Sequence, residues 1–398
     1  MESQKITSRT LAKEIRIPGS KSFANRALLF GALSDKNITI SDIPGALDVQ
    51  EMIGVLKSLS LCTQDSSTVS LNSSFPKDEI PSEKIISLNL GEGGTTIRFI
   101  TSLLALGKNT YRLHVHPRFK KRPHGEFLNF LRSLGVKVNE SDSDDVLCDL
   151  KGPMIFPKLL EIDCSKTTQV ATAFYLISTF NDFAIKLTHL VSSKAYIDMT
   201  KKKFMDKEKE RFTVPVDMSS AGYFITLSLF TQEHIFSQIL SIDDTQADSM
   251  IFNVLEQIGA EFDFSPYLKV TPKLEYNTFE IDGSQCLDLI PTLVVMACFI
   301  PGTSVIKNIS GLKYKETNRL NGIKNLLDQI EISYEVANDK NIKITGKSNH
   351  KKNLNIKTLP DHRLIMASAL FLKINGGGEV SPFENINKSF NDFFKIIS

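Results

Sequence analysis

The feature that most constrains this fold is a helix-then-strand pattern that recurs four times along the chain. Each copy places leucine or isoleucine at positions i, i+3, i+4 and i+7, which is one face of an amphipathic helix. A short apolar strand, a polar turn and a second strand follow each helix. The helix and first strand of the four copies lie within residues 49–63, 125–138, 248–262 and 319–334.

The spacing of the copies indicates two similar halves. The first two copies and the last two are separated by similar intervals, and the interval between the pairs is longer. Chance recurrence of helix–strand pairs is the alternative, but four copies in two matched pairs favour a repeat. Helices that alternate with short strands predict an α/β (α+β) fold. A length of 398 residues also suits two domains.

Composition and charge exclude several classes of protein. Apolar residues make up 41% of the chain, which excludes a disordered or collagen-like protein. The net charge of +2 provides no general attraction to nucleic acid or to an anionic membrane. The N-terminus has no secretory h-region, and the longest apolar stretch, 289–301, is too short to span a bilayer. We therefore expect a cytoplasmic protein with no nucleic-acid or membrane partner.

Cysteine and histidine spacing gives little support to metal or disulfide chemistry. The five cysteines are scattered and form no CxxC pair, which favours free thiols in a reducing compartment. The neighbouring residues His114, His116 and His124 have no carboxylate or cysteine at a matching ligand spacing. We therefore expect no metal site.

Cations recur at the starts of helices in the first half of the chain. Lys21 and Arg26 begin a strong helix after a Pro-Gly break, where free N–H groups and the helix dipole favour an anion. A glycine-rich turn at 90–98 enters a second helix, with Arg98 in its first turn. The segment 116–125 crowds basic residues around two prolines. Capped helices and a solvated basic loop explain each feature about as well when it is taken alone.

Carboxylates accompany the cations of the second half. Asp288 has apolar neighbours, which would raise its pKa unless it is paired or caps a helix. Lys315 and Arg319 share a helix face at i, i+4, with Glu316 beside them, although a surface salt-bridge ladder would have the same spacing. Arg363 opens a further helix. These residues and those of the first half together predict a site for small molecules that carry phosphate and carboxylate groups.

Seven segments of the chain resemble the EPSP synthase family. They are collinear and cover nearly the whole chain. The matching motifs are PGSKSxxNRAL at 18–28, LGxxGTTxR at 90–98, RxKxRPxG at 118–125, SKxYIDxT at 193–200, VxxDxSSAxYF at 214–224, KETxRL at 315–320 and DHRxxM at 361–366.

This resemblance implies a fold of two similar domains, each built from three repeated βαβαββ units, with the active site in a cleft between them. In the family the chain crosses between the domains twice. That implies one domain over residues 18–215 and a second, discontinuous domain over 1–17 and 216–398. In the family, ligand binding closes the cleft around the substrates.

The implied reaction transfers the enolpyruvyl group of phosphoenolpyruvate to the 5-hydroxyl of shikimate 3-phosphate and releases phosphate, a step of chorismate and aromatic amino-acid biosynthesis. It needs no metal or organic cofactor. The resemblance assigns Asp288 the base-side role, Glu316 the carboxylic group that works on the methylene, and Lys21 a place between both substrates. We expect a monomer whose partners are these two small molecules.

The resemblance also assigns the binding residues. Shikimate 3-phosphate is expected to contact Lys21, Ser22, Arg26, Thr167, Thr168, Gln169, Ser193, Tyr196, Asp288 and Lys315. Phosphoenolpyruvate is expected to contact Lys21, Gly94, Thr95, Arg122, Gln169, Arg319, Arg363 and Lys388. The substrates carry about five to six negative charges between them. The seven lysines and arginines in these two sets offer a comparable positive charge.

Glu92 is the departure from the family pattern that has the largest consequence, because the family has asparagine at this point of the glycine-rich turn. A carboxylate about 5 Å from a substrate charge costs about 3 kcal/mol at an effective dielectric of about 20. Glu92 must therefore turn away, pair with a cation or lower the affinity. One alternative is thus a homologue that binds shikimate 3-phosphate without turnover.

A second alternative is a UDP-N-acetylglucosamine enolpyruvyl transferase. That family uses a loop cysteine as its acid. The chain has no cysteine between Cys62 and Cys148, and its 118–125 loop resembles the shikimate type. These residues make the second alternative the weaker one.

Overall fold

The computed structural model describes residues 3–398, and Asn385 for its backbone alone. Contacts within the chain divide it into two compact units, after Pro18 and after Pro215. We call Gly19–Pro215 the continuous unit. The residues up to Pro18 together with Val216–Ser398 form the discontinuous unit, which includes the strand β1 (Gln4–Ile6).

The continuous unit contains three small sheets and seven of the helices described. In chain order its elements are α1 (Lys21–Leu33), β2 (Ile38–Ser41), α2 (Leu47–Ser58), β3 (Cys62–Asp65), β4 (Thr68–Leu71), β5 (Ile86–Asn89), α3 (Gly94–Leu104), β6 (Thr110–His114), α4 (Pro117–Lys120), α5 (Gly125–Ser133), β7 (Lys137–Glu140), β8 (Val146–Lys151), β9 (Leu159–Asp163), α6 (Gln169–Ser178), β10 (Ala184–Thr188), α7 (Lys194–Phe204) and β11 (Arg211–Thr213). The strand orders are β11-β2-β4-β3, β5-β6-β8-β7 and β10-β9.

The discontinuous unit has the same kind of construction. After β1, its elements are α8 (Met218–Phe230), β12 (His234–Phe236), α9 (Ile251–Gln257), β13 (Glu261–Phe264), β14 (Leu268–Thr271), β15 (Glu280–Asp282), α10 (Ile290–Phe299), β16 (Gly302–Lys307), α11 (Arg319–Gln329), β17 (Ser333–Ala337), β18 (Asn341–Gly346), β19 (Leu354–Lys357), α12 (His362–Ile374), β20 (Gly378–Ser381) and α13 (Phe393–Ile397). Its sheets are ordered β1-β20-β19, β12-β14-β13 and β15-β16-β18-β17.

Each four-stranded sheet joins a parallel strand pair to an antiparallel hairpin. In the sheet of β5 to β8, Ile86 lies opposite Tyr111 in the parallel pair, and Val138 lies opposite Leu150 in the hairpin. The order βαβαββ runs through β5–β8, where the short helix α4 precedes α5, and again through β15–β18. Other sheets take a strand from a distant part of the chain, as β11 pairs with β2 and β1 with β20.

The predicted helix-then-hairpin repeat is present in all four copies. The helices α2, α5, α9 and α11 are each followed by a hairpin, formed by β3–β4, β7–β8, β13–β14 and β17–β18 respectively. Their apolar faces are buried, as at Val49, Ile53 and Leu56 of α2. Burial of one apolar stripe against a sheet is what the 3.6-residue period predicts.

The core of each unit is built on helices that are buried nearly all round. In the continuous unit, α1 packs against α2, α3 and α6 and is buried from Phe23 to Leu33. In the discontinuous unit, α8, α10 and α12 pack together, and α10 is buried from Ile290 to Cys298. All five cysteines are buried as free thiols. Within residues 3–398, no helix combines the length and apolar character needed to cross a bilayer.

His350 is buried between two phenylalanine rings in the discontinuous unit. The centroid of its ring is 4.6 Å from that of Phe299 and 5.2 Å from that of Phe371. Burial, together with the positive charge of Lys347, lowers the pKa of His350 to about 4. The folded protein therefore keeps this imidazole neutral at a pH where the unfolded chain would protonate it.

Acid is expected to destabilise the protein through His350. The unfolded chain protonates this residue near pH 6.5 and the folded chain near pH 4, so its stabilising contribution is complete above pH 6.5 and is lost as the pH falls towards 4. Between pH 7.5 and 5 the loss in free energy of unfolding is on the order of 2 kcal/mol. Urea unfolding at both pH values should show a smaller loss in His350→Leu. The exposed residue His189 provides the control, His189→Gln, and an equal loss in wild type and His350→Leu would contradict the prediction.

Candidate active site

The predicted residues of the continuous unit lie where three packed helices begin. Lys21 is the first residue of α1, whose N-cap Ser20 accepts a hydrogen bond from the Phe23 N–H. Gly94 begins α3 and Gln169 begins α6. Helices α1, α3 and α6 pack against one another, so N–H groups with no partner in their own helix lie close together. We call the side chains at these helix starts the first cluster.

Hydrogen bonds through Gln169 connect the starts of α3 and α6. Its Oε1 accepts from Arg98 Nη1 at 2.8 Å, and its Nε2 donates to Thr95 Oγ1 at 2.9 Å. Arg98 also donates to the carbonyl oxygens of Gly94 at 3.1 Å and Pro123 at 2.9 Å. Gln169 therefore holds Arg98 and Thr95 in fixed positions, a role that its sequence position did not indicate.

Arg98 and Arg122 lie side by side next to Gly94. Both guanidinium groups face the buried ring of Phe119, at 5.4 Å and 5.9 Å from its centroid. Burial, together with the charge of Arg122, lowers the pKa of Arg98 to about 9. Among the described residues neither arginine forms an ion pair, so two like charges repel each other here. An anion would relieve that repulsion.

Arg26 is another buried cation with neutral partners. Its guanidinium donates to Thr200 Oγ1 at 2.9 Å and to the carbonyl oxygens of Ser22 at 2.6 Å and Tyr196 at 3.2 Å. Burial lowers its pKa to about 10. Thr200 was missed by the sequence analysis, although it lies in the SKxYIDxT segment.

Predicted hydroxyl residues meet at the starts of α6 and α7. Thr168, which is 5% exposed, donates to the Ser193 carbonyl oxygen at 3.4 Å. Thr167 Oγ1 accepts from the Gln169 N–H at 3.2 Å. Ser193 has a φ of +61°, in the left-handed region, directly before α7. The two helix starts thus bring these hydroxyl groups near Tyr196, the third residue of α7.

Lys21 forms an ion pair with a carboxylate that the sequence analysis did not single out. Its Nζ is 2.8 Å from Asp48 Oδ2, and Asp48 is 4% exposed. The main-chain oxygen of Asp48 accepts from Thr96 Oγ1 at 2.7 Å, which fixes α2 against α3. The one feature of the sequence that could have indicated Asp48 is an acid on the apolar face of a helix. Such an acid often has a purely structural role, so this feature does not identify a site residue.

A second cluster, in the discontinuous unit, surrounds Asp288. Its carboxylate is 2.6 Å from Arg319 Nη1, 3.1 Å from Lys315 Nζ and 3.9 Å from Arg363 Nη2. Burial alone would raise the pKa of Asp288, but these three cations hold it well below its usual value. The sequence analysis expected a raised pKa for Asp288 only if its carboxylate had no partner. The structure shows that it is paired, so that condition is not met.

Glu316 has its own cationic partners. Its Oε2 is 2.8 Å from His362 Nδ1 and its Oε1 is 3.6 Å from Lys388 Nζ. Burial would raise the pKa of Glu316, and the charges of His362 and Lys388 hold it well below its usual value. His362 belongs to the DHRxxM motif but was not among the predicted site residues.

Asp361 links the starts of two helices in this cluster. Its Oδ2 accepts from Arg319 Nε at 2.8 Å, and its Oδ1 caps α12 by accepting from the Arg363 N–H at 2.9 Å. Asp361 is fully buried and the Arg319 side chain is 2% exposed. Two nitrogen atoms of the Arg363 guanidinium, Nε and Nη1, are buried without a hydrogen-bond partner among the described residues. Arg363 therefore retains donor groups that an anion could fill.

Asp248 is a further buried carboxyl group beside this cluster. Burial raises its pKa to about 6, as does the neighbouring charge of Asp288. The Ser219 hydroxyl donates a hydrogen bond to Asp248 Oδ2. Neither residue was predicted as part of the site.

Glu316, Asp361 and His362 place possible metal-ligand atoms within 4.8 Å of one another. These residues already have positive partners, since Arg319 pairs with Asp361 and Lys388 with Glu316. A cation at the same point would be repelled by both. The charges of the second cluster therefore favour an anion over a metal ion.

The fold is that of the enolpyruvyl transferases. A structure of EPSP synthase from Acinetobacter baumannii covers 99% of this chain and 97% of its own, with a TM-score of 0.77 and 17% sequence identity. The enolpyruvyl transferase NikO from Streptomyces tendae covers 99% of this chain and 96% of its own, with a TM-score of 0.73 and 13% identity. These likenesses show a mixed α/β enolpyruvyl transferase fold.

The model of the family EPSP synthase (3-phosphoshikimate 1-carboxyvinyltransferase) matches residues 6–210 and 203–397. The chain therefore belongs to the EPSP synthase family, which confirms the resemblance seen in the motifs. The 3-phosphoshikimate 1-carboxyvinyltransferase of Nostoc punctiforme is 28% identical, over 97% of this chain and 96% of its own. That of Trichormus variabilis is 26% identical over the same shares. The two matched segments suggest two domains.

Replacing Asp361 is expected to destabilise the discontinuous unit strongly. Asp361→Ala removes a fully buried partner of Arg319, and breaking a buried ion pair by deleting one partner costs about 3–5 kcal/mol. Asn318→Ala is the matched control because it removes only the cap of α11, which is worth about 1 kcal/mol. Urea unfolding of both variants checks the difference. Equal losses would mean that the Asp361 carboxylate acts as a cap and little more.

Proposed function

We propose that this chain transfers the enolpyruvyl group of phosphoenolpyruvate to the 5-hydroxyl of shikimate 3-phosphate and releases phosphate. The observation that carries the proposal is the pair of buried guanidinium groups with neutral partners at Arg26 and Arg98, the second of which lies beside Arg122. A buried charge is costly unless it is neutralised, so these groups favour a substrate with several negative charges. The curated relatives bear the name of this activity.

In this proposal the first cluster binds shikimate 3-phosphate. Arg26 holds the carboxylate of the ring, with Ser22 and Tyr196 beside it. The phosphate lies against the hydroxyl groups of the α6 and α7 starts, where helix N–H groups add to the attraction. The residues assigned to this substrate are Lys21, Ser22, Arg26, Thr167, Thr168, Gln169, Ser193 and Tyr196, joined by Asp288 and Lys315.

Phosphoenolpyruvate is held by cations of both units. Arg122, Arg319, Arg363 and Lys388 bind its phosphate and carboxylate. The unfilled donor atoms of Arg363 supply hydrogen bonds that planar oxyanions accept well. Gly94 and Thr95 form a close wall, and Lys21 and Gln169 border both substrates.

The two carboxylates are assigned the proton transfers. Asp288 accepts the proton of the 5-hydroxyl of shikimate 3-phosphate while that hydroxyl oxygen attacks C2 of phosphoenolpyruvate. Glu316 delivers a proton to C3 of phosphoenolpyruvate. The intermediate then returns that proton to Glu316 and expels phosphate. In the structure both pKa values are held low by cations, so a substrate anion that occupies those cations raises both. His362 Nδ1, at 2.8 Å, is within reach to protonate Glu316.

The decisive test is phosphate release from each substrate alone and from both together. Release that needs shikimate 3-phosphate and phosphoenolpyruvate together would support the transfer. Calorimetry with shikimate 3-phosphate separates the remaining outcomes. Binding without release would identify a homologue that has kept the site and lost the chemistry, and neither binding nor release would overturn the proposal.

Removing either carboxylate is expected to abolish most of the activity. Asp288→Ala and Glu316→Ala should each lower kcat by at least about 100-fold, the scale of a general acid–base group. The exposed acid Glu335 provides the control Glu335→Gln, which should leave kcat unchanged. Coupled phosphate release measures kcat, and circular dichroism checks folding. Near-normal turnover in a folded variant would refute the role of that carboxylate.

Gly94→Ala is expected to weaken phosphoenolpyruvate binding selectively. A Cβ at Gly94 would lie 3.0 Å from Arg122 Nη2 and from Arg98 Nη1, so Arg122 has to move. The KM for phosphoenolpyruvate should rise about tenfold, the scale of one misplaced methyl group. Gly54→Ala is the matched control, since its Cβ would meet no atom within 4 Å. An unchanged KM in Gly94→Ala would show that Arg122 does not bind phosphoenolpyruvate.

A further inference from the structure

Glu92 lies beside the basic segment 116–122, which we call the basic loop. Its Oε1 is 3.7 Å from Arg118 Nη1, and its Oε2 is 3.6 Å from His116 Nδ1. The Glu92 side chain is 17% exposed, so this contact is partly screened from water. Of the three outcomes that the sequence leaves open for Glu92, the structure shows pairing with a cation.

Main-chain hydrogen bonds hold the glycine-rich turn against the same loop. The Leu90 N–H donates to the His114 carbonyl at 2.8 Å, and the His116 N–H donates to the Gly91 carbonyl, also at 2.8 Å. The two turn residues that make these bonds directly precede Glu92 in the chain. The backbone therefore places the turn that carries Glu92 beside the loop.

The basic loop carries Arg122 and is anchored at several points. Lys120 donates to the carbonyl oxygens of Ser141 at 2.7 Å and Ser143 at 2.6 Å. Phe119 is 1% exposed beneath the guanidinium group of Arg122, and the main-chain N–H of Arg122 donates to the Phe119 carbonyl oxygen at 2.9 Å. Movement of the loop would therefore move Arg122.

The charge of the loop makes a carboxylate contact valuable. Residues 118–122 contain four cations, and Arg98 adds a fifth beside Arg122. Like charges at this density repel one another and favour a spread arrangement of the loop. Glu92 opposes that spreading on the side of the glycine-rich turn.

We propose that Glu92 is a positioning residue, which holds the basic loop so that Arg122 meets the anionic substrate. The proposal rests on the proposed function for the identity of that anion. Direct repulsion of the substrate by Glu92 is the rival account. The two accounts predict opposite changes in substrate affinity when Glu92 is neutralised. If Glu92 repels the anion, neutralising it tightens binding, whereas if Glu92 positions the loop, neutralising it weakens binding despite the extra positive charge.

The first measurement is the binding of phosphoenolpyruvate to wild type and Glu92→Gln by calorimetry, together with steady-state kinetics. We expect the Kd and the KM for phosphoenolpyruvate to rise about threefold to tenfold, the worth of one partly buried ion pair, with kcat within about twofold of wild type. Glu126→Gln is the matched control because it removes the same charge from an exposed acid in α5. Tighter or unchanged binding in Glu92→Gln would overturn the proposal.

A double-mutant cycle tests the partner. Arg118→Gln should weaken binding to a similar degree, and the double variant Glu92→Gln/Arg118→Gln should lose little more than either single one, because both changes break the same contact. Fully additive losses would show that Glu92 does not act through Arg118.

Hydrogen exchange of the loop amides distinguishes failure of this proposal from failure of the proposed function. If wild type neither binds shikimate 3-phosphate nor releases phosphate with both substrates, the proposed function is wrong, and exchange decides the positioning role alone. Faster exchange over residues 116–122 in Glu92→Gln, but not in Glu126→Gln, supports positioning. Equal exchange in wild type and Glu92→Gln overturns it.

Discussion

The second cluster depends on one buried guanidinium group. Arg319 lies between Asp361 at 2.8 Å and Asp288 at 2.6 Å, and its side chain is almost fully withdrawn from water. A buried charge is tolerated only when its donors are satisfied with good geometry. Meeting that requirement fixes the starts of α11 and α12 relative to each other, because Arg319 begins the first and Asp361 caps the second. Glu316 lies three residues before Arg319 and Arg363 two residues after Asp361, so both are placed by these fixed points.

The two clusters solve the problem of buried charge in different ways. In the first, Arg26 and Arg98 use neutral oxygens as partners, so their charge is left for an anion from solution. In the second, carboxylates already neutralise the cations, and an anion must compete with them. That competition couples binding to protonation, since an anion that draws Lys388 away from Glu316 raises the pKa of that carboxyl group. A site of the second kind can therefore change the state of its acid when substrate arrives.

Local pattern explains which parts of the structure the sequence could predict. The helix-then-hairpin repeat depends on a 3.6-residue period followed by short alternating strands, and both are local signals. Cations at helix starts are also visible locally, as at Lys21. The pairing of Lys21 with Asp48 depends on how α1 and α2 approach in three dimensions, which no local signal carries. The same holds for the pairing of β11 with β2, which joins strands far apart in the chain.

The candidate site residues were proposed mainly from the resemblance to the family. Glu316 and Arg363 belong to matching motifs, and Asp288 also stood out as an acid among apolar neighbours. Asp248, by contrast, lies beside Asp288 through packing of the elements around α8, and composition or spacing does not distinguish it from any other buried acid. Physical reasoning from sequence gave the class of ligand, because charge and helix starts are local. It could not give the network that sets protonation, because that network is tertiary.

Glu92 shows why a charged substitution within a motif has to be judged by the groups that its side chain contacts. An acid in a turn expected to contact substrate anions predicts repulsion, and distance alone supports that view. The backbone places the turn beside the basic loop, and this carboxylate lies next to Arg118 and His116, where its charge offsets that of the loop. A negative charge that stabilises the placement of a cation can strengthen an anion site even though its direct interaction with the anion is unfavourable. The net effect of Glu92 on anion binding depends on whether its attraction to the loop or its repulsion of the anion is shorter and less solvated. The distances of 3.6 and 3.7 Å to the loop, at a largely buried carboxylate, make the attraction to the loop the stronger of the two.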